Sequence, residues 1–341
     1  MERKSETTIH DIARKLKISA STVSRALNDN PMISEKTRKL IKKTALEMGY
    51  RPNIIAANFR TKRTNTIGVI VPLINRHFFS SVISGIEEIA YSEGFTVSIS
   101  QSNDNYQKEV HIAQSLFSNR VDGLILSIGM ETIDTSHLKL FSEKNIPLVF
   151  FDRTAVDIDA NKIVVDDIKG GYKATSHLIK QGYKRIAHIG GPLNLTIYKN
   201  RLEGYARALK EAGINSDPNL IVHNSLTREE GTKSIKKLMD SSFPPDAVFC
   251  ANDTSALSVI IYLQKTGINI PNDFGVVGFS NEPFSEVVTP SISTIKQPGF
   301  EMGKKASELL IGQINGNLKN SESQTFIMPT ELIVRDSSNR N

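Results

Sequence analysis

Thr8-Ile9-His10-Asp11-Ile12-Ala13 and, five residues on, Ser19-Ala20-Ser21-Thr22-Val23-Ser24-Arg25-Ala26-Leu27-Asn28 read as two short helices at the start of the chain. Thr8 with Asp11 three positions later is an N-cap with its capping-box partner. Ile9, Ile12, Ala13 and Leu16 then recur at i, i+3, i+4, i+7, which puts them on one apolar face. Lys17-Ile18 is a brief connection, Ser19 a second N-cap, and Val23, Ala26 and Leu27 the buried face of the second helix. A third helix is expected from Ser34 through Leu40, Ile41, Ala45 and Met48 to Gly49, a C′ residue. Two short helices on a tight turn with a third packed behind form a helix-turn-helix module. Its second helix leaves Ala20, Ser21, Thr22, Ser24 and Arg25 outside the apolar face. Small hydroxyl residues allow close approach to a major groove, and an Arg can donate two bonds to guanine O6 and N7.

Charge partition points the same way. Residues 1–63 hold 15 Lys and Arg against 6 Asp and Glu, whereas the rest of the 341-residue chain holds 27 against 30. A basic segment on a slightly acidic body is the electrostatic footprint of nucleic-acid binding. No apolar run approaches the roughly 18 residues of a membrane span. The polar start, Met1 to Glu6, has no apolar stretch behind it, so no secretory signal is expected. The single cysteine, Cys250, lies in the apolar run Ala247–Ala251, where it reads as core and can form no intrachain disulfide. Cytoplasmic location is the expectation.

The motifs quoted above, with Gly49-Tyr50-Arg51-Pro52-Asn53, resemble in order and spacing the lactose-repressor (LacI/GalR) family of bacterial transcriptional regulators over about sixty residues. The resemblance implies that Ala20, Ser21 and Arg25 read bases and that Ser19, Thr22, Ser24 and Asn28 hold phosphates. Thr8 at the first helix start is counted with them. A hinge helix from Pro52 to Arg60 is implied next, with Asn53, Ala56 and Phe59 as DNA contacts. Asn53 reads as the cap of Ile54–Arg60, and these seven residues are too few for a stable isolated helix, so it is expected to order only beside a second copy on DNA. Phe59 stands where the family has Leu as a minor-groove wedge, and Phe is also an effective wedge. A homodimer on a pseudo-palindromic double-stranded DNA operator follows, since one module contacts too few base pairs. A repressor is expected.

From Thr66 the pattern becomes α/β. Short apolar runs at Ile67–Pro72, Gly123–Ser127, Pro147–Phe151, Ala247–Ala251 and Gly275–Gly278 are strands buried on both faces, alternating with helical stretches. The rhythm restarts near Asp166, which suggests two parallel-sheet subdomains. The resemblance implies the same periplasmic-binding-protein-like core. The expected division is 1–51 for the helix-turn-helix domain, 52–65 for hinge and linker, and 66–341 for the effector-binding and dimerisation domain. Within the last, subdomain one is placed at about 66–164 plus 292–326, and subdomain two at about 165–291 plus 327–341.

Ligands of such folds bind beyond the carboxyl ends of strands. Residues that follow strands are therefore candidates for an effector: Asn75, His77, Phe78, Phe79, Gln101, Asn103, Asp152, Arg153, Asn252, Asp253, Ser280 and Asn281. One of Phe78 and Phe79 is expected in the core, and Asn252 and Asp253 are both candidate caps of the helix that follows, Asp253 being the better placed. The resemblance adds Arg201. It also places Ser280 where relatives carry an effector-binding Asp, which leaves Asn281 or water to substitute. Asn, Asp and Arg beside an aromatic ring suit a polyhydroxyl ligand, so carbohydrate is the expected effector, with a purine, a nucleoside or a protein co-effector as the alternative. GxGxxG, P-loop and HExxH motifs and Cys/His pairs at metal spacing are missing from the sequence. No cofactor, metal or enzymatic activity is expected, and His188, inside a strand run, reads as a core histidine.

Overall fold

The computed structural model describes residues 7–50, 63–317 and 323–340, and the chain divides into two compact units, Met1–Arg63 and Thr64–Asn341. In the first unit, α1 (Ile9–Leu16), α2 (Ala20–Leu27) and α3 (Glu35–Glu47) pack around Ile12, Val23, Ala26 and Ile41, all fully buried. The caps act as their residue types dictate. The Asp11 carboxylate accepts the Thr8 N–H at 2.9 Å, Ser19 accepts the Thr22 N–H at 3.1 Å, and Ser34 accepts the Thr37 N–H at 3.3 Å. Lys17 turns the chain between α1 and α2 in the left-handed region, at φ 54°.

The second unit holds two open sheets. The first runs β11 (Thr325–Met328), β5 (Asn161–Val165), β4 (Leu148–Phe151), β3 (Gly123–Leu126), β1 (Thr66–Val71), β2 (Thr96–Gln101), and every pairing is parallel. The second runs β12 (Glu331–Ile333), β10 (Ser293–Lys296), β9 (Gly275–Ser280), β8 (Ala247–Cys250), β6 (Ile186–Gly190), β7 (Ile221–His223), with only β12 antiparallel. Parallel strands need crossover helices, and these cover both faces, so β3, β4 and β8 are buried throughout. The helices are α4 (His77–Ser92), α5 (Tyr106–Ser118), α6 (Ser136–Glu143), α7 (Asp167–Lys180), α8 (Thr196–Glu211), α9 (Arg228–Met239), α10 (Asp253–Lys265), the short α11 (Phe284–Val287) and α12 (Gly299–Ile314).

The sequence-based division of the second unit needs correction at its returns. Subdomain one was expected to resume at Ile292, yet β10 pairs with β9 in the second sheet, so the chain returns only after Lys296. It then supplies α12 and β11 to the first subdomain, and β11 runs to Met328, past the expected boundary at Phe326. Hydrogen-bonded register, which composition does not reveal, decides both points. Three segments thus join the subdomains: after Val165, after Lys296 and after Met328.

A helix crossing in each subdomain brings backbones into direct contact. A Cβ on Gly204 of α8 would lie 2.1 Å from the Ile168 carbonyl oxygen of α7, and one on Gly171 would lie 2.3 Å from that of Arg201. Gly85 of α4 and Gly303 of α12 meet in the same way, at 2.0 Å each. Gly204→Ala should therefore force α7 and α8 apart and destabilise the second unit by about 1–3 kcal/mol, the cost of overpacking. Urea unfolding checks this, and an unchanged midpoint would show that the crossing yields easily.

Candidate functional site

On the first unit, Ser19, Ser21, Arg25 and Asn28 are exposed, and Ala20, Thr22 and Ser24 are half-buried. The Ser19 hydroxyl lies 2.8 Å from both the Ser21 and the Thr22 hydroxyls, so the start of α2 presents a linked hydroxyl cluster. Asn28 is the C-cap of α2 and donates its amide to the Ser24 carbonyl at 2.7 Å. Arg25, in the last turn, carries the one cationic side chain of α2. Together they make a small, polar, basic face on a rigid helix. Asn53, Ala56 and Phe59 lie outside the described residues.

In the second unit, the carboxyl ends of both sheets converge on a cavity of about 100 Å³. Each sheet reverses its strand order beside its first strand, β1 or β6, and such switch points open crevices. Of the expected residues, Phe78, Phe79, Asp152, Arg153, Arg201, Asn252, Asp253 and Ser280 line this cavity. Both Phe78 and Phe79 are buried, at an edge-to-face centroid distance of 5.3 Å, so the expected split between core and crevice gives way to rings that serve both.

Asn75, His77, Gln101, Asn103 and Asn281 are not among the lining residues. Asn75, His77 and Asn103 are exposed. Gln101 accepts the Ile74 N–H at 2.7 Å and bonds Asn103, which ties two loop ends together. Asn281 is not free beside Ser280, because its side-chain carbonyl oxygen accepts from Arg335 at 2.8 Å. Nor is Asp253 the helix cap. Asn252 is, accepting the Ser255 N–H at 2.8 Å while its amide donates to the Leu226 carbonyl at 3.0 Å. Sequence reasoning missed Arg76, Asp104, Tyr198, Glu282 and Gln297, all in the lining.

The charges are interlocked. Arg153 bonds Asp104, donates to the Tyr198 hydroxyl at 3.3 Å, and has its Nε 3.9 Å from Asp152. Burial opposes its charge, but Tyr198, Asp104 and Asp152 outweigh that and hold the guanidinium above its ordinary pKa. Among the described residues its Nε–H has no hydrogen-bond partner. Arg201 donates to Asp167 at 2.7 Å and to the Ala251 carbonyl at 2.8 Å, and its guanidinium lies 3.6 Å from the Phe279 ring centroid. Burial pushes Asp167 up against the pull of Arg201. Further bonds cross from one subdomain to the other: Arg76 to the Thr254 hydroxyl, the His77 N–H to Glu282 at 3.2 Å, and the Asn194 amide to the Met130 carbonyl at 3.0 Å. Gln297, on a joining segment, donates to Asp152 at 3.4 Å and accepts from Ser280 at 3.0 Å. His188 is fully buried and pushed down to about 3 by burial, so its ring is neutral; Nδ1 bonds the Phe249 carbonyl and Nε2 has no partner among the described residues.

Comparison with known proteins bears on both sites. Residues 8–53 match the model described as bacterial regulatory proteins, lacI family, and residues 175–338 match the periplasmic binding protein-like domain. The HTH-type transcriptional repressor CytR of Escherichia coli (strain K12) is 34% identical over 339 residues, covering 98% of each chain. The chain belongs to the LacI family. Catabolite control protein A of Priestia megaterium is 33% identical to this LacI-family chain, covering 97% of it and 99% of the relative. The solved structure of a transcriptional regulator CelR-cellobiose complex aligns with a TM-score of 0.75 at 28% identity, covering 97% of this chain and all of that one. This is a DNA-binding transcriptional regulator with the family's α/β core, and the relatives named above are regulators rather than enzymes. Among the described residues no helix is long and apolar enough to cross a membrane.

One acid in the LacI-family crevice gives a pH prediction. Asp253 is fully buried, and burial raises it to about 7 although Thr294 and the Glu282 N–H donate to it at 2.6 and 2.7 Å. Its folded pKa thus exceeds its unfolded one, near 3.9. The associated stability is complete below about pH 4 and declines as pH rises through 7, by up to about 4 kcal/mol. Asp253→Asn should flatten the stability profile between pH 4 and 8, as read by denaturant midpoints. A variant profile parallel to wild type would mean that Asp253 does not titrate there.

Proposed function

We propose that the chain is a repressor that binds a pseudo-palindromic operator as a homodimer in the cytoplasm, and that a carbohydrate effector in the crevice sets its affinity. The observation that carries this reading is the pairing, in one chain, of the polar basic face of α2 with a two-subdomain crevice. That crevice is lined by acids, guanidinium groups and aromatic rings. Asp152, Arg153 and Arg201 offer the paired acceptors and donors that vicinal hydroxyls need, and Phe79 offers an apolar face for a sugar ring. The relative solved with cellobiose supports a carbohydrate. A second copy is required because one helix-turn-helix spans too few base pairs for specific recognition.

The coupling follows from connectivity. With three joining segments, the subdomains are free to pivot but not to separate, so crevice closure is a two-state variable. An effector that binds one closure state better shifts the population toward it, and the linker at residues 52–65 passes that shift to the DNA-binding units. A ligand that binds both states equally would change nothing.

Two measurements test this reading. Arg25→Ala should cost roughly 1–3 kcal/mol on the selected operator and relax preference at one position per half-site. An unaltered binding profile from randomised-site selection would remove Arg25 from the groove. Deleting residues 1–63 should abolish operator binding and preserve effector affinity. In the deleted protein a sugar at 100 times its dissociation constant would still add about 2.7 kcal/mol of stability. Loss of that thermal shift would place the effector outside the crevice.

A further inference from the structure

We infer that Arg335 is a positioning residue for the crevice: through Asn281 it holds the strained turn from which the second subdomain reaches across to the first. This rests on the reading of the crevice as the effector site, which is what makes its closure matter. Ser280, the last residue of β9, has φ 108°, and Asn281 has φ 55°. Asn tolerates the left-handed region, but Ser at 108° occupies backbone space that favours glycine. Such a conformation persists only where its surroundings enforce it. Ser280 and Glu282 both line the crevice. The Ser280 hydroxyl reaches Gln297 and, through it, Asp152, while the Glu282 carboxylate accepts the His77 N–H at the start of α4. Two connections to the first subdomain thus leave from one short turn.

A guanidinium from the C-terminal segment enforces the turn. Arg335 follows β12, lies outside the crevice lining, and has a side chain that is 12% exposed. One terminal nitrogen donates to the Asn281 side-chain carbonyl at 2.8 Å and to Glu286 at 2.9 Å. The other donates to the Ile292 carbonyl at 2.8 Å and to the Ser285 hydroxyl at 3.1 Å. The fork therefore ties the turn, α11 and the return to β10 to one point. Its own backbone is fixed by Ser293, whose hydroxyl accepts the Arg335 N–H at 2.8 Å and donates to the Arg335 carbonyl at 2.9 Å. A lysine keeps the charge but not the planar fork, so it cannot make these four bonds together. Thr294 and Asp253 accept the N–H groups of Asn281 and Glu282, but the Asn281 side chain is gripped by Arg335, with the Ser285 hydroxyl more distant at 3.4 Å. Without that grip the turn is free to relax the backbone at Ser280, and Glu282 moves with it. These partners of Arg335 all belong to the second subdomain, so its effect on the first must pass through the turn.

The test is hydrogen–deuterium exchange of the full chain, read by mass spectrometry in peptides covering residues 74–79 and 280–286, with β1 and β6 as controls. Arg335→Lys should speed exchange in both peptides by roughly tenfold, the effect of one charge-assisted hydrogen bond, and leave the controls at wild-type rates. Asn281→Gly suits the positive φ but removes the acceptor, and should do the same. Asn281→Asp keeps an acceptor for Arg335 and should match wild type. A purely local role would loosen 280–286 and leave 74–79 unchanged, and that result would overturn the inference. So would equal exchange in Asn281→Gly and wild type, even if Arg335→Lys failed to fold. Millimolar ribose, glucose or cytidine added to wild type reports on the crevice reading separately. No added protection in either peptide would count against that reading, while the contrast between the variants would still decide the role of Arg335.

Discussion

Much of the second unit depends on the contact between the α7 and α8 backbones at Gly171 and Gly204. Ordinary helix pairs keep axes 8–10 Å apart because side chains intervene. Here carbonyl oxygens of each helix stand where a Cβ on the other would be, so the two move as one body. Arg201 sits at that contact, and its pairing with Asp167 fastens the start of α7 to the middle of α8. The guanidinium therefore reaches the crevice as part of a rigid frame. A site that must discriminate by geometry needs its donors held in that way.

The crevice illustrates how charge is kept inside a protein. Asp104, Asp152 and Tyr198 surround Arg153, while Asp167, a carbonyl and an aromatic ring surround Arg201. Burying one ion alone costs far more than burying a bonded set. A polyhydroxyl ligand suits such a set, because it can exchange hydrogen bonds with each member without leaving any ion bare. An apolar ligand could not.

The fold was legible because its signals are local. Caps at Thr8, Ser19 and Ser34 and the apolar runs of the strands are read from neighbouring residues, and the structure places elements there. Several crevice residues were legible for the same reason, since they follow strands. What was not legible depends on distant pairing. The β10 strand looks like any other, and only its register against β9 assigns it to the second sheet. Tyr198 was missed because α8 starts at Thr196 with no side-chain cap to mark the spot. Asp104 and Gln297 lie in connections, and their roles come from partners 49 and 145 residues away.

The threaded path of the chain also bears on how it is made. The first subdomain takes α12 and β11 from residues 299–314 and 325–328, so its core lacks Met302, Ala306 and Leu310 until nearly the whole chain has been translated. Until then β5 is an open edge with an apolar face, of the kind that invites pairing with other chains. At about 5–20 residues per second, the ribosome takes several seconds or more to go from β5 to β11. The DNA-binding unit, complete within the first 63 residues, has no such wait. A nascent chain can thus carry a folded reader of DNA well before it carries a finished sensor.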